Sequence, residues 1–126
     1  MQGLHLTGDL SDCQCAPQRL TDPALLQTLC LEAVAAAGLT RVNHLFHQFA
    51  PGSGITGVVL LAESHIALHT WPEMGGVTLD VYVCNYGQDN SAKAQGLFEA
   101  LLQCFLPRSV VRGSLSRGAV AERVAT

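Results

Sequence analysis

Charged side chains are scarce in this chain. Of its 126 residues, 13% are Asp, Glu, Lys or Arg, and their balance gives a formal net charge of −3. Such a balance provides no cationic surface for nucleic acid or for an anionic membrane. No apolar run reaches the ~18 to 20 residues that cross a bilayer, and the opening residues lack the basic and apolar regions of a signal peptide. The sequence therefore predicts a cytoplasmic protein that binds neither nucleic acid nor membrane.

Patterns typical of disulfides and of metal sites are also missing. The five cysteines form no C-x-x-C pair, and in a cytoplasmic protein they stay reduced. If residues 40–49 form a strand, His44 and His47 point to opposite faces. His65 and His69 would share a face but would lie ~13 Å apart along a strand. The sequence therefore predicts neither a disulfide framework nor a metal site.

Hydrophobic periodicity divides the chain into short helices and strands. Asp22 as N-cap, Pro23 at the first helical position and Gly38 after the last turn predict a helix. A second amphipathic helix is predicted over residues 91–105, with Pro107 after it. Strands are predicted near residues 4–10, 40–49, 57–62, 65–71, 77–84 and 110–111, with a loop over 11–20 and a turn at Gly75-Gly76.

The order of these segments, β-α-β-β-β-β-α-β, indicates the fold class. The middle strands follow one another too closely for helical crossovers, so they must pair mainly antiparallel. We therefore predict an α+β fold, a single two-layer domain over residues 1–126 in which the helices cover one face of the sheet. With 48% apolar residues, a chain of this size can bury a substantial core. Four arginines after the second helix are predicted to lie in a solvated tail: Arg108, Arg112, Arg117 and Arg123.

Polar side chains are concentrated where the pattern predicts core, in the run from Glu63 to Glu73. A hairpin of strands 65–71 and 77–84 is expected to place His69 and Cys84 near a common pocket beside Ser64. Taken singly, these residues also fit structural roles, because a buried cysteine is commonly a small hydrophobe. No nucleophile-elbow glycines surround Ser64 or Cys84, which argues against a hydrolase. The residues alone indicate a small α+β domain with a polar pocket.

A family resemblance narrows this interpretation. The run Leu61-Ala62-Glu63-Ser64-His65-Ile66-Ala67-Leu68-His69-Thr70-Trp71-Pro72-Glu73 resembles the processing site of the prokaryotic S-adenosylmethionine decarboxylases. Flanking segments are also similar to those of the family, and the likeness covers most of the chain: Gly3-Leu4-His5-Leu6, Asn43 to Phe49, Asp80 to Cys84, and Arg112-Gly113.

The resemblance implies that the chain is a proenzyme that cuts itself. Ser64 is expected to attack the Glu63 carbonyl. Elimination from the resulting ester leaves dehydroalanine at position 64, which tautomerises and hydrolyses to a pyruvoyl cofactor made from Ser64. The products are chains 1–63 and 64–126. Such a cleavage needs a strained or polarised peptide and a nearby base, and His69 matches the processing base of the family. Thr56 stands where the family usually has a serine that assists processing, and it retains the hydroxyl.

The resemblance also assigns roles in decarboxylation. The pyruvoyl ketone is expected to form a Schiff base with the substrate amine and to accept the electrons released with carbon dioxide. Cys84 matches the residue that returns a proton to the substrate. Glu73 matches a carboxylate that binds the ribose hydroxyls of the substrate. Phe49 matches an aromatic residue that contacts the nucleoside or sulfonium. His65 is also expected to contact the substrate. The family fold implies a homodimer, in which two chains form an α/β/β/α sandwich with the active sites near the interface. The family activity implies that the product is used in polyamine (spermidine) synthesis.

Departures from the family pattern keep the substrate open. Met74 replaces an aromatic residue, Asn85 replaces a glycine, and residues 90–92 replace an Asp-Pro-aromatic stretch. Because these positions are expected around the substrate pocket, a decarboxylase of ornithine or arginine is the alternative. Glu73 fits both, since a carboxylate can bind ribose hydroxyls or a cationic side chain. An inactive relative is a third possibility, and the joint retention of Ser64, His69 and Cys84 argues against it.

Overall fold

The computed structural model describes residues 2–118, which form six strands and three α-helices. Arg123 of the predicted basic tail lies outside these residues. Between the fourth and fifth strands, Pro72–Met74 form a short 3-10 turn. The elements are β1 (Gly3–Cys13), α1 (Gln18–Thr21), α2 (Pro23–Ala36), β2 (Arg41–Gln48), β3 (Ile55–Leu61), β4 (Ser64–Trp71), β5 (Gly76–Cys84), α3 (Ser91–Phe105) and β6 (Pro107–Arg117).

The strands form one sheet in the order β2-β3-β4-β5-β1-β6, and every neighbouring pair is antiparallel. Short connections make β2 to β5 a meander, and β1 lies between β5 and β6. Helices α2 and α3 cover one face, where they bury the core side chains with the strands. The largest fully buried side chains include Phe105, Leu26, Ile55, Ile66, Leu68 and Leu79. The predicted α+β two-layer fold is confirmed.

Local sequence signals explain where the helices begin and end. The Asp22 side chain accepts hydrogen bonds from the backbone N–H groups of Ala24 and Leu25 at 3.0 and 3.3 Å, so it caps α2 as predicted. Pro23 occupies the first helical position, where its missing N–H costs nothing. After α3, Leu106 takes a left-handed conformation with φ of 49°, which stops the helix before β6 begins.

One prediction about the ends of the chain is wrong and a second is only partly confirmed. The predicted loop over residues 11–20 contains the last three residues of β1 and the first three residues of α1. The described arginines of the predicted tail are exposed as predicted, but they lie on the edge strand β6, which includes the predicted strand residues 110–111. There Arg112 pairs with Glu99, and the Arg117 guanidinium lies 5.3 Å from the centre of the Tyr82 ring. Because β6 is exposed along most of its length, its sequence lacks the apolar alternation that identifies a half-buried strand. Within residues 2–118, no helix is long and apolar enough to cross a membrane.

Residues 2–118 leave the sheet face away from the helices uncovered, and we call it the open face. Burial alternates along β4 and β5, so that Ile66, Leu68, Val81 and Val83 point to the helices. The side chains between them point to the open face: His65, Ala67, His69, Trp71, Thr78, Asp80, Tyr82 and Cys84. Exposed apolar side chains on the flanking strands extend this face, including Leu45, Leu60 and Leu115.

Candidate active site

The Glu63–Ser64 peptide lies at the tip of the β3–β4 hairpin, where Ser64 is the first residue of β4. Ser64 has a φ of 152°, a positive value that residues with a Cβ atom rarely adopt. Such a conformation costs on the order of 1–3 kcal/mol and persists only where neighbouring structure enforces it. The peptide expected to be cut is therefore held in strained backbone.

Glu63 is fixed by hydrogen bonds at both its backbone and its side chain. Its carbonyl oxygen accepts from the backbone N–H of Cys84 at 2.7 Å, and its Oε1 accepts from the backbone N–H of Thr40 at 3.0 Å. Ser64 pairs with Val83 in the β4–β5 ladder, so Cys84 lies beside the Glu63–Ser64 peptide. We call Glu63, Ser64 and Cys84 the cleavage half-site. Its arrangement fixes the Glu63 carbonyl group and polarises its oxygen through the backbone N–H of Cys84.

A second group of predicted residues surrounds a cavity near the far end of β4. Thr56 pairs with His69 between β3 and β4, and Thr56 Oγ1 lies 3.1 Å from His69 Nδ1. The cavity has a volume of about 230 Å³, and Phe49, Trp71 and Glu73 also line it. We call Phe49, Thr56, His69 and Glu73 the pocket half-site. It combines a hydrogen-bonded imidazole, an aromatic surface and a carboxylate.

The two half-sites lie at opposite ends of the same strand. Ser64 and His69 are five residues apart on β4, which corresponds to ~16 Å. Thr78, and not Cys84, lies opposite His69. The prediction that His69, Cys84 and Ser64 share a pocket within one chain is therefore wrong. The turn at Gly75 sets the register, pairing Trp71 with Gly76 and placing the end of β5 beside the start of β4.

His65 lies next to the cleavage half-site on the open face. Its ring is 5.6 Å from the ring of Tyr82, which is also 5.7 Å from the ring of His5. His5 Nε2 in turn lies 3.1 Å from Asp80 Oδ1. His65 thus lies near Ser64 and away from the pocket half-site, and its role as a substrate contact stays a prediction.

Two contributors to the cleavage half-site are backbone groups that the sequence pattern did not indicate. The N–H groups of Thr40 and Cys84 hold Glu63, and neither depends on side-chain identity. The register of the β4–β5 hairpin, which the glycine turn indicates, is the signal that could have placed the Cys84 amide there.

Other cysteines differ from Cys84 in their surroundings. Burial raises the pKa of the Cys30 thiol to about 12 and that of Cys13 to about 11. Cys30 is fully buried in the core, and Cys13 packs against it. These thiols stay protonated at neutral pH and act as small apolar side chains, whereas Cys84 points to the open face.

Comparison with known proteins identifies the family. Residues 4–118 match the family model described as S-adenosylmethionine decarboxylase. The chain belongs to the S-adenosylmethionine decarboxylase family. It is 34% identical over 116 residues to an S-adenosylmethionine decarboxylase proenzyme of Archaeoglobus fulgidus, covering 92% of this chain and 97% of that protein. It is 48% identical over 84 residues to the proenzyme of Parasynechococcus marenigrum, covering 67% of this chain but only 63% of that relative.

A solved structure of the family has the same fold. The crystal structure of the adenosylmethionine decarboxylase from Aquifex aeolicus VF5 superposes with a TM-score of 0.82 at 35% sequence identity. The superposition covers 92% of this chain and 90% of the other. Both the predicted family and the predicted fold class are thus confirmed, and the relatives are named as decarboxylase proenzymes, that is, precursors of carboxy-lyases.

Proposed function

We propose that this chain is a proenzyme that cuts itself between Glu63 and Ser64 and then decarboxylates S-adenosylmethionine, supplying the aminopropyl donor for spermidine synthesis in the cytoplasm. The observation that carries the proposal is the strained Ser64 backbone beside Glu63, whose carbonyl oxygen accepts a hydrogen bond from the Cys84 N–H and whose side chain accepts one from the Thr40 N–H. Strain at one peptide, combined with polarisation of its carbonyl, favours cleavage at that bond over all others.

The cleavage step follows from this geometry. Ser64 Oγ attacks the Glu63 carbonyl carbon, the bond from that carbon to the Ser64 nitrogen breaks, and the nitrogen takes up the proton that the hydroxyl has lost. Negative charge develops on the Glu63 oxygen, where the Cys84 N–H already donates at 2.7 Å. A preorganised donor of this kind contributes on the order of 10² to 10³ in rate. Breaking the peptide also releases the strain at Ser64. Elimination from the resulting ester then separates the two chains, leaving Glu63 as a carboxylate and dehydroalanine at position 64, which tautomerises and hydrolyses to the pyruvoyl group.

Residues around Ser64 fit the pyruvoyl group that the family implies. The group is made from Ser64 itself, so it needs no separate binding site, and Ser64 is half-buried beside Cys84 at the sheet end. It supplies a ketone that reacts with the substrate amine and withdraws the electrons released as carbon dioxide leaves. In this proposal Cys84 returns a proton to the substrate carbon, and the hydrogen bonds of its backbone N–H and carbonyl support that role by fixing its backbone.

A second copy of the chain completes the site in this proposal. General acid–base transfer needs donor and acceptor within about 2.6 to 3.2 Å, or one bridging water, whereas Ser64 and His69 of one chain are ~16 Å apart. Two open faces packed across a two-fold axis bring the cleavage half-site of one chain to the pocket half-site of the other. The result is the α/β/β/α sandwich.

Apolar side chains on the open face support this pairing. Leu45, Leu60 and Leu115 are 67%, 47% and 58% exposed in the single chain. Sheet-on-sheet packing buries such residues between the two layers. Large apolar side chains exposed on one face are typical of an interaction site.

The pocket half-site favours S-adenosylmethionine as the substrate. Phe49 is 72% exposed, and its ring stands edge-on to His47 at 4.9 Å, leaving an aromatic surface free. An aromatic ring attracts a sulfonium as it attracts other cations, while Glu73 offers a carboxylate to ribose hydroxyls. A carboxylate also suits the cationic side chain of ornithine or arginine, so these amino acids are the competing substrates.

The cleavage and the substrate are tested separately. Intact-mass measurement of the purified protein is expected to show two chains, split between Glu63 and Ser64, while Ser64→Ala stays whole. Release of carbon dioxide is then measured with S-adenosylmethionine, ornithine, arginine and lysine. A single uncut chain that still decarboxylates would sink the cleavage mechanism. Turnover of an amino acid in place of S-adenosylmethionine would reassign the substrate and leave the cleavage intact.

A further inference from the structure

Asn90 is one of two buried polar residues among residues 2–118, at 5% exposure. It occupies the N-cap position of α3, where an asparagine side chain normally accepts a hydrogen bond from the first turn. Here it makes no such bond. Its side-chain amide instead donates to the backbone carbonyl of Cys84 at 2.9 Å. The Asn90 side chain thus leaves the first turn of α3 uncapped and instead binds the end of the strand that carries Cys84.

Neighbouring residues provide hydrogen bonds to the start of α3 in place of the Asn90 side chain. The Asp89 side chain accepts from the Ser91 backbone N–H at 2.9 Å, and this bond lowers the pKa of Asp89. Asn85 Oδ1 accepts from the Asn90 backbone N–H at 2.8 Å, and Asn85 Nδ2 donates to Ser91 Oγ at 3.0 Å. Position 85 and residues 90–92 are also places where the sequence departs from the family pattern. In the structure the departures contact one another, and together they join α3 to the end of β5.

We propose that Asn90 is a positioning residue for Cys84, acting through the Cys84 carbonyl. The inference rests on the proposed function, because it concerns the two tasks given there to Cys84. Cys84 is the last residue of β5, and its N–H holds the Glu63 oxygen while its carbonyl is held by Asn90. Both peptide groups that flank its Cα are therefore anchored. The Asn85 N–H of the same peptide also donates to the Gln2 carbonyl at 2.7 Å. Without the Asn90 bond, the end of the strand therefore keeps this contact but loses the one that holds the Cys84 carbonyl itself, so Cys84 is positioned less firmly relative to Glu63.

The expected consequence is slower self-cleavage. Displacement by ~1 Å at a reacting centre can cost ~10²-fold in rate, so we expect at least a ~10-fold loss when the bond is removed. Asn90→Ser is the most informative variant, because serine caps a helix about as well as asparagine but is too short to reach the Cys84 carbonyl. Asn90→Asp keeps the shape and replaces the donating amide by an acceptor. Leu101→Val, which trims a fully buried core side chain of α3, controls for general destabilisation.

Two readouts test the proposal. The first is the rate at which newly made proenzyme is converted to two chains, followed by intact mass alongside the melting temperature. The second is the rate at which iodoacetamide alkylates Cys84 in a Ser64→Ala background, where cleavage cannot occur, with Cys13 and Cys104 in the same digest as internal controls. We expect Asn90→Ser to slow cleavage at least ~10-fold and to change Cys84 alkylation several-fold, without loss of melting temperature relative to Leu101→Val.

The proposal is overturned if either rate for Asn90→Ser and Asn90→Asp stays within the range of Leu101→Val at a matched melting temperature. Failure of the wild-type chain to cut itself would refute the proposed function instead. In that case the alkylation of Cys84 in the Ser64→Ala background still decides whether Asn90 positions this residue.

Discussion

The separation of Ser64 from His69 predicts that His69, the proposed processing base, acts across the proposed dimer. We expect neither Ser64→Ala nor His69→Ala to cut itself when expressed alone, because the first lacks the nucleophile and the second lacks the base. In a mixed dimer, however, the His69→Ala chain keeps its own Ser64 and faces the intact His69 of the Ser64→Ala chain. Co-expression of the two variants should therefore restore cleavage.

The expected yield follows from the two-fold symmetry of the proposed pairing. Random pairing makes about half of the dimers mixed, and each mixed dimer contains one complete cleavage site, so about one quarter of all chains should be cut. All of the cut chains should be His69→Ala chains. Tags of different mass on the two variants identify them by intact-mass measurement, and no substrate is needed.

A matched control removes the base from both partners. Co-expression of His69→Ala with the double variant Ser64→Ala, His69→Ala offers the same nucleophile and the same dimer but no imidazole at position 69, and it should give only uncut chains. If the first mixture also stays uncut although mixed dimers are recovered by their tags, the base does not act across the interface. If His69→Ala cuts itself at the normal rate when expressed alone, His69 is not the base.

Other substitutions separate the remaining roles. Cys84→Ala should still be cut, since the amide that donates to Glu63 is retained, but should lose ~10² to 10⁴ in decarboxylation; unchanged turnover of the processed variant would remove Cys84 from the proposed chemistry. Glu73→Gln should lower kcat/KM for S-adenosylmethionine by an amount equivalent to ~2 to 4 kcal/mol of transition-state binding. Methylthioadenosine should inhibit the wild-type enzyme. If it does not inhibit and arginine is turned over, the substrate is the amino acid and not S-adenosylmethionine. Asp22→Ala should lower the free energy of unfolding by about 1 kcal/mol in a urea titration of the uncut Ser64→Ala chain, whereas Asp22→Asn, which keeps a capping oxygen, should lose much less.

Much of the fold could be read from the sequence because local signals and the global fold agree. The Asp22-Pro23 cap marked α2 to the residue, and α3 spans the predicted residues 91–105. Alternation along β4 and β5 identified which side chains share a face. The last strand was harder to predict, since β6 is an edge strand whose pairing with β1 depends on a partner about one hundred residues away in sequence.

The candidate site was predicted in its residues but not in its arrangement. Periodicity tells which face a side chain occupies, and it says nothing about position along the strand. That position depends on register, which the turn at Gly75 sets when Ser64 is brought opposite Val83. The backbone contributions of Thr40 and Cys84, and the diversion of Asn90 from its capping role, depend on three-dimensional contacts that no local pattern encodes.

The strand order has a consequence for the life of the cut protein. Cleavage as proposed leaves β1, β2 and β3 on one fragment and β4, β5 and β6 on the other. In the sheet order β2-β3-β4-β5-β1-β6 the fragments are interleaved, and β1 lies between two strands of the other fragment. They cannot part without breaking the β3–β4, β5–β1 and β1–β6 ladders. Once unfolded, however, two separate chains must meet again in solution, so refolding becomes dependent on concentration. The working lifetime of the mature enzyme would then be governed by how slowly it unfolds, whereas the precursor can refold as a single chain.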